Sequence, residues 1–168
     1  MPDRGSKKRQ CEERVAAAMS RAEEVIITVL CMVYRGNKIV VQDRVDRAWR
    51  GIAFPGGHVE KSEPFVHAAI REVYEETGLT IAQPVLCGIK QFQTDQGQRY
   101  MVLLFKTDNF AGELRSSREG RVFWIDKNEL GQCQVAAGFR ELLAVFESDQ
   151  YSEFYYERQG DNWLIKLF

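Results

Sequence analysis

The sequence predicts one mixed α/β domain, and three observations support this fold class. The chain has 168 residues, which suits one domain and is too short for two large ones. Strand-like segments alternate with helical ones, and no internal repeat or low-complexity linker separates them. Hydrophobic residues make up 45% of the chain and charged residues 28%, which excludes a wholly disordered protein. We therefore expect helices packed against a largely mixed β-sheet.

The first predicted elements are strands. Residues 25–34 and 38–43 are rich in β-branched and other apolar residues, and the Arg-Gly-Asn sequence at 35–37 predicts a tight hairpin turn between them. A polar loop over residues 44–50 then leads to a short apolar segment at 52–54.

A helix is predicted over residues 65–77. Apolar residues recur at positions 65, 66, 69, 70 and 73, which is the spacing of one helix face. Glu63 and Pro64 precede it, and proline is tolerated in the first turn of a helix. Gly78 follows it and is expected to end the helix.

The remaining elements complete the mixed sheet. Strands are predicted at residues 85–92, 99–107 and 121–125, a helix at 139–146, and a last pair of strands at 154–157 and 163–167. A turn at residues 94–97 joins the first two of these strands.

The N-terminal segment differs in composition from the rest. Residues 1–24 hold six Lys or Arg and five Asp or Glu, and they include a helix-favouring run. Residues 1–19 are therefore either a dispensable extension or a short helix docked on the domain. The domain proper is expected over residues 20–168.

Charge and hydropathy narrow the class of protein. The chain has 23 basic and 24 acidic residues and a net charge of -1, which argues against binding of long nucleic acids. Binding of a small anionic ligand remains compatible with this charge, because a bound cation could supply the local positive charge. The longest strongly apolar run, residues 25–33, is far too short to cross a membrane, and residues 1–19 lack the apolar core of a signal peptide.

Cysteine usage agrees with a reducing compartment. The four cysteines are widely spaced and form no CxxC pair, and the chain has only two histidines. Zinc sites and disulfide frameworks are not expected, and a cytoplasmic location is predicted. The cysteines are Cys11, Cys31, Cys87 and Cys133.

The predicted helix at 65–77 carries a cluster of acids. Glu72, Glu75 and Glu76 are three or four positions apart, so they are expected to converge on one surface. Like charges at this spacing oppose the helix, which suggests a compensating cation, and carboxylate ligands favour Mg²⁺, or Mn²⁺ in its place. Arg71 can pair with Glu75 four residues later. Gly56 and Gly57 let the backbone approach closely, so a main-chain carbonyl there could complete the coordination. The chemistry expected of such a site is attack of water on a polyphosphate.

Nine residues in this region match every fixed position of the Nudix hydrolase signature, so the chain resembles that family. The matching residues are Gly57, Glu63, Arg71, Glu72, Val73, Glu75, Glu76, Gly78 and Leu79. The resemblance implies an α/β/α sandwich with the glutamates on the signature helix. It also implies an enzyme that hydrolyses a nucleoside diphosphate linked to another group.

The resemblance also implies roles for matching residues. Glu72, Glu75 and Glu76 would be metal ligands together with the Gly56 carbonyl, and one of these acids would serve as the base. Glu63 would be a supporting acid and Arg71 would orient the glutamates. An additional glutamate often assists in this family, and Glu119 is the candidate, with an ordinary loop acid as the equal alternative.

Flanking segments are similar to the bacterial 8-oxo-dGTP diphosphatase group of this family. They lie at residues 41–44, 49–60, 87–90, 97–100, 112–125 and 152–158. The similarity implies conversion of an oxidised deoxynucleoside triphosphate to the monophosphate and pyrophosphate, in nucleotide-pool sanitation linked to DNA repair.

Four residues are candidates for binding the nucleotide. Trp49 and Tyr100 could stack on a base or pack in the fold, and both interpretations stay open. Arg44 and Lys90 could neutralise phosphates. Taken singly, Arg44 is better explained as part of a solvated basic loop, whereas Lys90 is favoured because its strand is otherwise apolar. Phe54 and Trp124 are expected to pack, as are Cys31 and Cys87, while His58 and His67 are expected to be structural or surface groups.

Other activities stay open at this stage. One is hydrolysis of a nucleotide-sugar, ADP-ribose or a dinucleoside polyphosphate. Residues 91–98 lack the proline typical of the ADP-ribose group, and Tyr100 lies a little late for the tyrosine typical of the dinucleoside polyphosphate group. Another is a nucleotide-sensing module without turnover, which the complete set of acids argues against. The sequence does not indicate an oligomeric state.

Overall fold

The structure, a computed structural model, describes residues 22–45 and 51–168. The strands in these ranges are β1 (Val25–Arg35), β2 (Lys38–Arg44), β3 (Gly51–Ala53), β4 (Thr80–Ile81), β5 (Val85–Gln93), β6 (Arg99–Thr107), β7 (Phe110–Ala111), β8 (Gly120–Asp126), β9 (Glu153–Gln159) and β10 (Asn162–Leu167). The helices are α1 (Phe65–Thr77) and α2 (Phe139–Glu147), with a 3-10 helix at Lys127–Gln132.

Eight strands form a mixed sheet. Along the sheet the order is β10, β9, β5, β6, β1, β2 and β3, and β8 also pairs with β2. The β1–β6 and β5–β9 pairs are parallel, and the other pairs of this sheet are antiparallel. The strands β4 and β7 form a separate small pair.

Each face of the sheet carries one helix over its own apolar core. On one face, Ala69 and Val73 of α1 pack with Val29 and Val40. On the other face, Phe139 and Phe146 of α2 pack around Phe54, with ring centroids 4.5 and 4.7 Å away. Helix, sheet and helix therefore form three layers, which confirms the predicted α/β/α sandwich.

The sheet opens between β1 and β2, and the segment 55–59 occupies the gap. The two strands pair only next to their hairpin turn, through Tyr34↔Ile39 and Arg35↔Lys38. Further along β1 the hydrogen bonds run from Val29 N to Gly57 O, from Cys31 N to Pro55 O and from Val59 N to Ile27 O, at 2.9, 2.9 and 3.0 Å. The Pro-Gly-Gly loop is therefore held within the sheet.

The described elements agree closely with the sequence predictions. Helix α1 has the predicted bounds, and Gly78 ends it in the left-handed conformation, at φ 76°, with its N–H donating to Tyr74 O. Most strands extend one or two residues beyond the predicted bounds. The 3-10 helix and the β4–β7 pair were not predicted.

Several predictions concern residues outside the described ranges. They are the extension or docked helix at residues 1–19, the side chain of Trp49, the neighbouring basic residues of the 44–50 loop, and Cys11. Within the described residues, Cys31 is buried, Cys87 and Cys133 are half-buried, and all three are free thiols. In the same part of the chain, no helix has both the length and the apolar character needed to cross a membrane.

Candidate active site

The buried face of helix α1 determines where its three acids lie. Ala69 and Val73 are fully buried against the sheet, so Glu72 and Glu76 lie beside that face and point towards the 55–59 segment. Glu75 lies further round the helix and its side chain is 56% exposed. The three acids thus project from the same end of α1 into surroundings of very different polarity.

Arg71 connects most of the acids through one guanidinium group. Its Nε and Nη2 donate to the two carboxylate oxygens of Glu63, both at 2.9 Å, and Nη2 also donates to the His58 carbonyl at 3.0 Å. Its Nη1 donates to Glu72 Oε1 at 2.7 Å and to Glu75 Oε2 at 3.2 Å. The hydrogen bonds from Arg71 hold the pKa of Glu63 at about 2, and Glu63 and Glu72 together raise the pKa of Arg71.

Glu76 is a buried acid beside a second acid. It is 4% exposed, and its Oε2 accepts a hydrogen bond from the Gly56 N–H at 2.8 Å. Burial, followed by the neighbouring Glu119 carboxyl, raises the pKa of Glu76, against the Gly56 N–H and the positive charge of Arg44. The structure therefore brings Glu119, from the turn before β8, next to an acid of the signature helix.

Two glycines allow the 55–59 segment to approach so closely. A Cβ on Gly56 would lie 2.1 Å from the Val29 carbonyl oxygen, and a Cβ on Gly57 would lie 2.5 Å from Glu72 Oε2. Burial raises the pKa of Glu72, and the charges of Glu75 and Glu119 act in the same direction against Arg71. The backbone of this segment thus takes the space beside Glu72 that a side chain would fill.

The acids fit a hard divalent cation by the chemistry of their donors. The donor atoms are carboxylate oxygens, which Mg²⁺ and Mn²⁺ prefer. Burial and neighbouring acids raise the pKa of both Glu72 and Glu76, so a nearby cation would favour their ionised forms.

The acids do not form a complete cation site in their present positions. In residues 22–45 and 51–168, no three His, Cys, Asp or Glu side chains lie close enough together to hold a metal ion. Arg71 draws Glu72 and Glu75 to its guanidinium group, while Glu76 faces the Gly56 amide. The three acids therefore do not converge as expected, because Glu72 and Glu75 face Arg71 while Glu76 faces Gly56.

A cavity of about 80 Å³ lies on the α2 side of the sheet. It is lined by Leu30, Arg44, Ala53, Phe54, Lys90, Ala136, Ala137, Phe139 and Leu142. Most of this lining is apolar, and two basic side chains, Arg44 and Lys90, reach it from strands β2 and β5. The positive charge of Arg44 also lowers the pKa of Glu76, so Arg44 lies close enough to act on that acid.

Lys90 is a buried cation held by aromatic rings. It is 9% exposed, and its Nζ lies 5.3 Å from the ring centroid of Phe154 and 5.1 Å from that of Tyr156. Cation–π attraction of this kind strengthens when the cation is desolvated. Burial lowers the pKa of Lys90 to about 8.

Tyr100 lies away from the lining of this cavity. Its ring stacks on Phe92 with centroids 5.0 Å apart and meets His58 edge-on at 6.4 Å. Phe54 and Trp124 pack in the fold, as the sequence predicts: Phe54 is 3% exposed, and Trp124 packs against Phe110 at 5.2 Å.

Gln42, a polar residue in the apolar strand β2, is a buried residue for which the sequence predicted no role. Gln42 is 1% exposed, and among the described residues its side-chain Nε2 has no hydrogen-bond partner. The available signal was its position in the segment Lys-Ile-Val-Val-Gln, where a buried strand would favour another apolar residue.

Comparison with known proteins gives a consistent set of similarities. A family model described as the NUDIX domain matches residues 25–146. The uncharacterized Nudix hydrolase YvcI of Bacillus subtilis is 30% identical over 118 residues, which are 67% of this chain and 73% of that protein. The crystal structure of a mutator MutT protein from Bacillus halodurans superposes with a TM-score of 0.67 and 27% identity, covering 84% of this chain and 97% of that one.

Two further relatives have names that state different substrates. An oxidized purine nucleoside triphosphate hydrolase of Danio rerio is 34% identical over 90 residues, 53% of this chain and 56% of that protein. An ADP-ribose pyrophosphatase of Methanocaldococcus jannaschii is 29% identical over 92 residues, 54% of each chain. This chain therefore spans about half the length of each of these two relatives.

Proposed function

Because this chain belongs to the Nudix hydrolase family, we propose that it hydrolyses a nucleoside triphosphate to the monophosphate and pyrophosphate, with 8-oxo-dGTP as the favoured substrate. One observation carries the proposal: an apolar cavity with two basic residues lies next to the acid cluster. Arg44 lines that cavity and also acts on the charge of Glu76. This arrangement suits a ligand with a flat base at one end and a polyphosphate at the other.

We propose that Glu72, Glu75, Glu76 and the Gly56 carbonyl hold Mg²⁺, with Mn²⁺ as a substitute. When bound, such a cation polarises the phosphoryl oxygens and neutralises charge that develops on them. Arg71 would keep Glu72 and Glu75 oriented, and its pairing with Glu63 would fix the guanidinium group.

Glu119 is the supporting acid in this proposal. Its carboxyl is one of the groups that raise the pKa of Glu76, so we place it beside that acid. In the ionised state, a carboxylate at this position could accept the proton of an attacking water, and Glu72 or Glu76 could serve in the same way.

We propose that Lys90 contacts the base rather than the phosphates. The cavity is small and mostly apolar, so it suits the edge of a ring better than a charged triphosphate. An ammonium group only donates hydrogen bonds, and it therefore suits carbonyl oxygens on that edge. 8-Oxoguanine presents two carbonyl oxygens where guanine presents one. The similarity to the oxidized purine nucleoside triphosphate hydrolase of Danio rerio supports the same substrate class.

The decisive experiment is a substrate panel with purified protein and Mg²⁺. Turnover of 8-oxo-dGTP and dGTP is compared with that of ADP-ribose and a dinucleoside polyphosphate. We expect the highest kcat/KM with 8-oxo-dGTP, with pyrophosphate as the released product. Orthophosphate release from the triphosphate would contradict the proposed bond cleavage.

A variant tests the proposed base contact within the same panel. Lys90→Met should lower the preference for 8-oxo-dGTP over dGTP by about tenfold, the usual effect of one lost specific contact. Lys38→Met, at an exposed position, is the matched control and should leave the preference unchanged.

ADP-ribose hydrolysis is the second candidate function. The observation that favours it is the similarity to the Methanocaldococcus ADP-ribose pyrophosphatase over about half of each chain. Turnover of ADP-ribose to AMP and ribose phosphate, without turnover of triphosphates, would establish it in place of the first. In either case we propose that the substrate is a small nucleotide in the cytoplasm.

A further inference from the structure

Within residues 22–45 and 51–168, Gln42 differs from the other buried polar side chains because its amide nitrogen is unpaired. Its side chain is 1% exposed in a strand whose preceding residues, Ile39, Val40 and Val41, are fully buried. Its Nε2 has no hydrogen-bond partner in the part of the chain that the structure describes. An unpaired buried amide is unfavourable for folding, whereas an apolar side chain of similar size would avoid that penalty.

The strand register places Gln42 beneath the acid cluster. Side chains alternate along a strand, so Gln42 lies on the same face of β2 as Val40. Val40 packs in the core that contains Val73 of α1 and Val122, the cross-strand partner of Gln42. Glu76 follows Val73 by one helical turn. Gln42 therefore lies where this apolar core ends and the acids begin.

The neighbouring strands bring other parts of the cluster to the same place. On one side, β2 pairs Gln42 with Ala53, three residues before Gly56, whose N–H bonds to Glu76. On the other side it pairs with β8, which Glu119 immediately precedes. The strands that pair with Gln42 thus lead directly to the segments that carry Gly56 and Glu119.

We propose that Gln42 is a positioning residue that donates a hydrogen bond from its side-chain amide to the carboxylate of Glu76 when this acid binds a divalent cation. In the structure Glu76 Oε2 accepts a hydrogen bond from the Gly56 N–H at 2.8 Å. A carboxylate has about four lone-pair sites, so one that binds this N–H and a cation can still accept from a neutral amide. An amide adds no positive charge, so it can orient the carboxylate without competing with the cation. A buried lysine would compete with it. The inference rests on the proposed divalent-cation chemistry of this site.

This role predicts effects of opposite sign on stability and on metal binding. Gln42→Met removes the unpaired donor while keeping the volume. We expect the metal-free protein, in EDTA, to melt about 2–6 °C higher. Mn²⁺ should bind about tenfold more weakly, as followed by electron paramagnetic resonance of the free ion. With Mg²⁺ and nucleotide, kcat should fall while KM stays constant, because the base cavity is untouched.

Gln91→Met is the matched control. Gln91 is a glutamine on β5 whose amide is satisfied: it accepts from Arg99 and donates to Glu153 Oε1 at 2.8 Å. The same substitution there should lower the melting temperature and leave Mn²⁺ affinity unchanged. Gln42→Leu provides a second variant that also lacks the donor.

The outcomes separate this inference from the proposed function. Wild type that binds Mn²⁺, together with Gln42 variants that bind it equally well, would overturn the positioning role and leave the proposed function standing. Wild type that neither binds Mn²⁺ nor turns over any nucleotide would overturn both. Weaker Mn²⁺ binding by variants that melt at or above the wild-type temperature supports the inference.

Discussion

Replacement of Lys90 by methionine tests how the protein holds a buried charge. Lys90 is 9% exposed and contacts aromatic rings, and its pKa falls from 10.5 to about 8 because burial disfavours the ammonium form. Each pH unit between those two values corresponds to about 1.4 kcal/mol, so keeping the ammonium buried costs roughly 3 kcal/mol below pH 8. Methionine has a similar length and carries no charge, and volume-conserving exchanges of this kind cost little.

The sign of the pH dependence follows from proton binding. Between pH 8 and 10.5 the unfolded chain holds a proton on Lys90 that the folded chain has released, so wild-type stability rises with pH through this window. Lys90→Met lacks this contribution. We therefore expect the variant to be about 3 kcal/mol more stable than wild type at pH 7, with a difference near zero by about pH 10.5.

Urea unfolding of both proteins at a series of pH values measures this difference. Other titrating groups are common to both proteins and cancel in the comparison. Lys38→Met, on an exposed side chain at the start of β2, is the control and should show no such change. A Lys90→Met difference that stays constant from pH 7 to 10.5 would refute the reasoning, because it would mean that Lys90 keeps its proton in the folded protein.

Three further predictions concern the acids and the segment that holds them. Glu76→Gln should lower kcat by about 100-fold or more, because it removes the charge of a proposed metal ligand, while circular dichroism shows an intact fold. Arg71→Lys keeps the charge but loses the planar guanidinium group, so urea unfolding should show a free energy of unfolding about 2 kcal/mol lower. An unchanged free energy of unfolding would show that the acids do not require the guanidinium geometry. Gly56→Ala should lower stability by about 3 kcal/mol or more and abolish activity, because its Cβ would lie 2.1 Å from the Val29 carbonyl oxygen. Its control is Gly131→Ala, where nothing lies within 4 Å of the added Cβ, and melting temperatures compare the two.

Local patterns were sufficient to predict most elements of the fold. Helix α1 was predicted with its bounds because apolar spacing, Pro64 before it and Gly78 after it are all local signals. The β4–β7 pair was not predicted because each strand has only two residues, too few for a pattern. Insertion of the 55–59 segment into the sheet was not predicted either, since its hydrogen bonds to β1 join positions about 24 to 32 residues apart.

The candidate site shows a similar division between local and non-local information. The pairing of Arg71 with Glu75 follows from helical spacing alone, but its stronger contacts reach Glu63 and the His58 carbonyl, which only the tertiary fold brings near. Glu75 and Glu76 are identical neighbours in sequence, yet one is mostly exposed and the other is buried. The difference arises from the contacts of each side chain, and residue type carries no sign of it.

The position of the Pro-Gly-Gly segment within the sheet also determines how the protein should unfold. A loop on the surface could open while the remainder of the molecule stayed folded, but this one is bonded to β1, at the centre of the sheet. Its amide protons, such as that of Val59, should therefore exchange with solvent only when the sheet itself opens. Gly56 and Glu76 would then separate in the same cooperative step that separates the strands. The protein should accordingly have no partly folded state in which the sheet survives without an intact acid cluster.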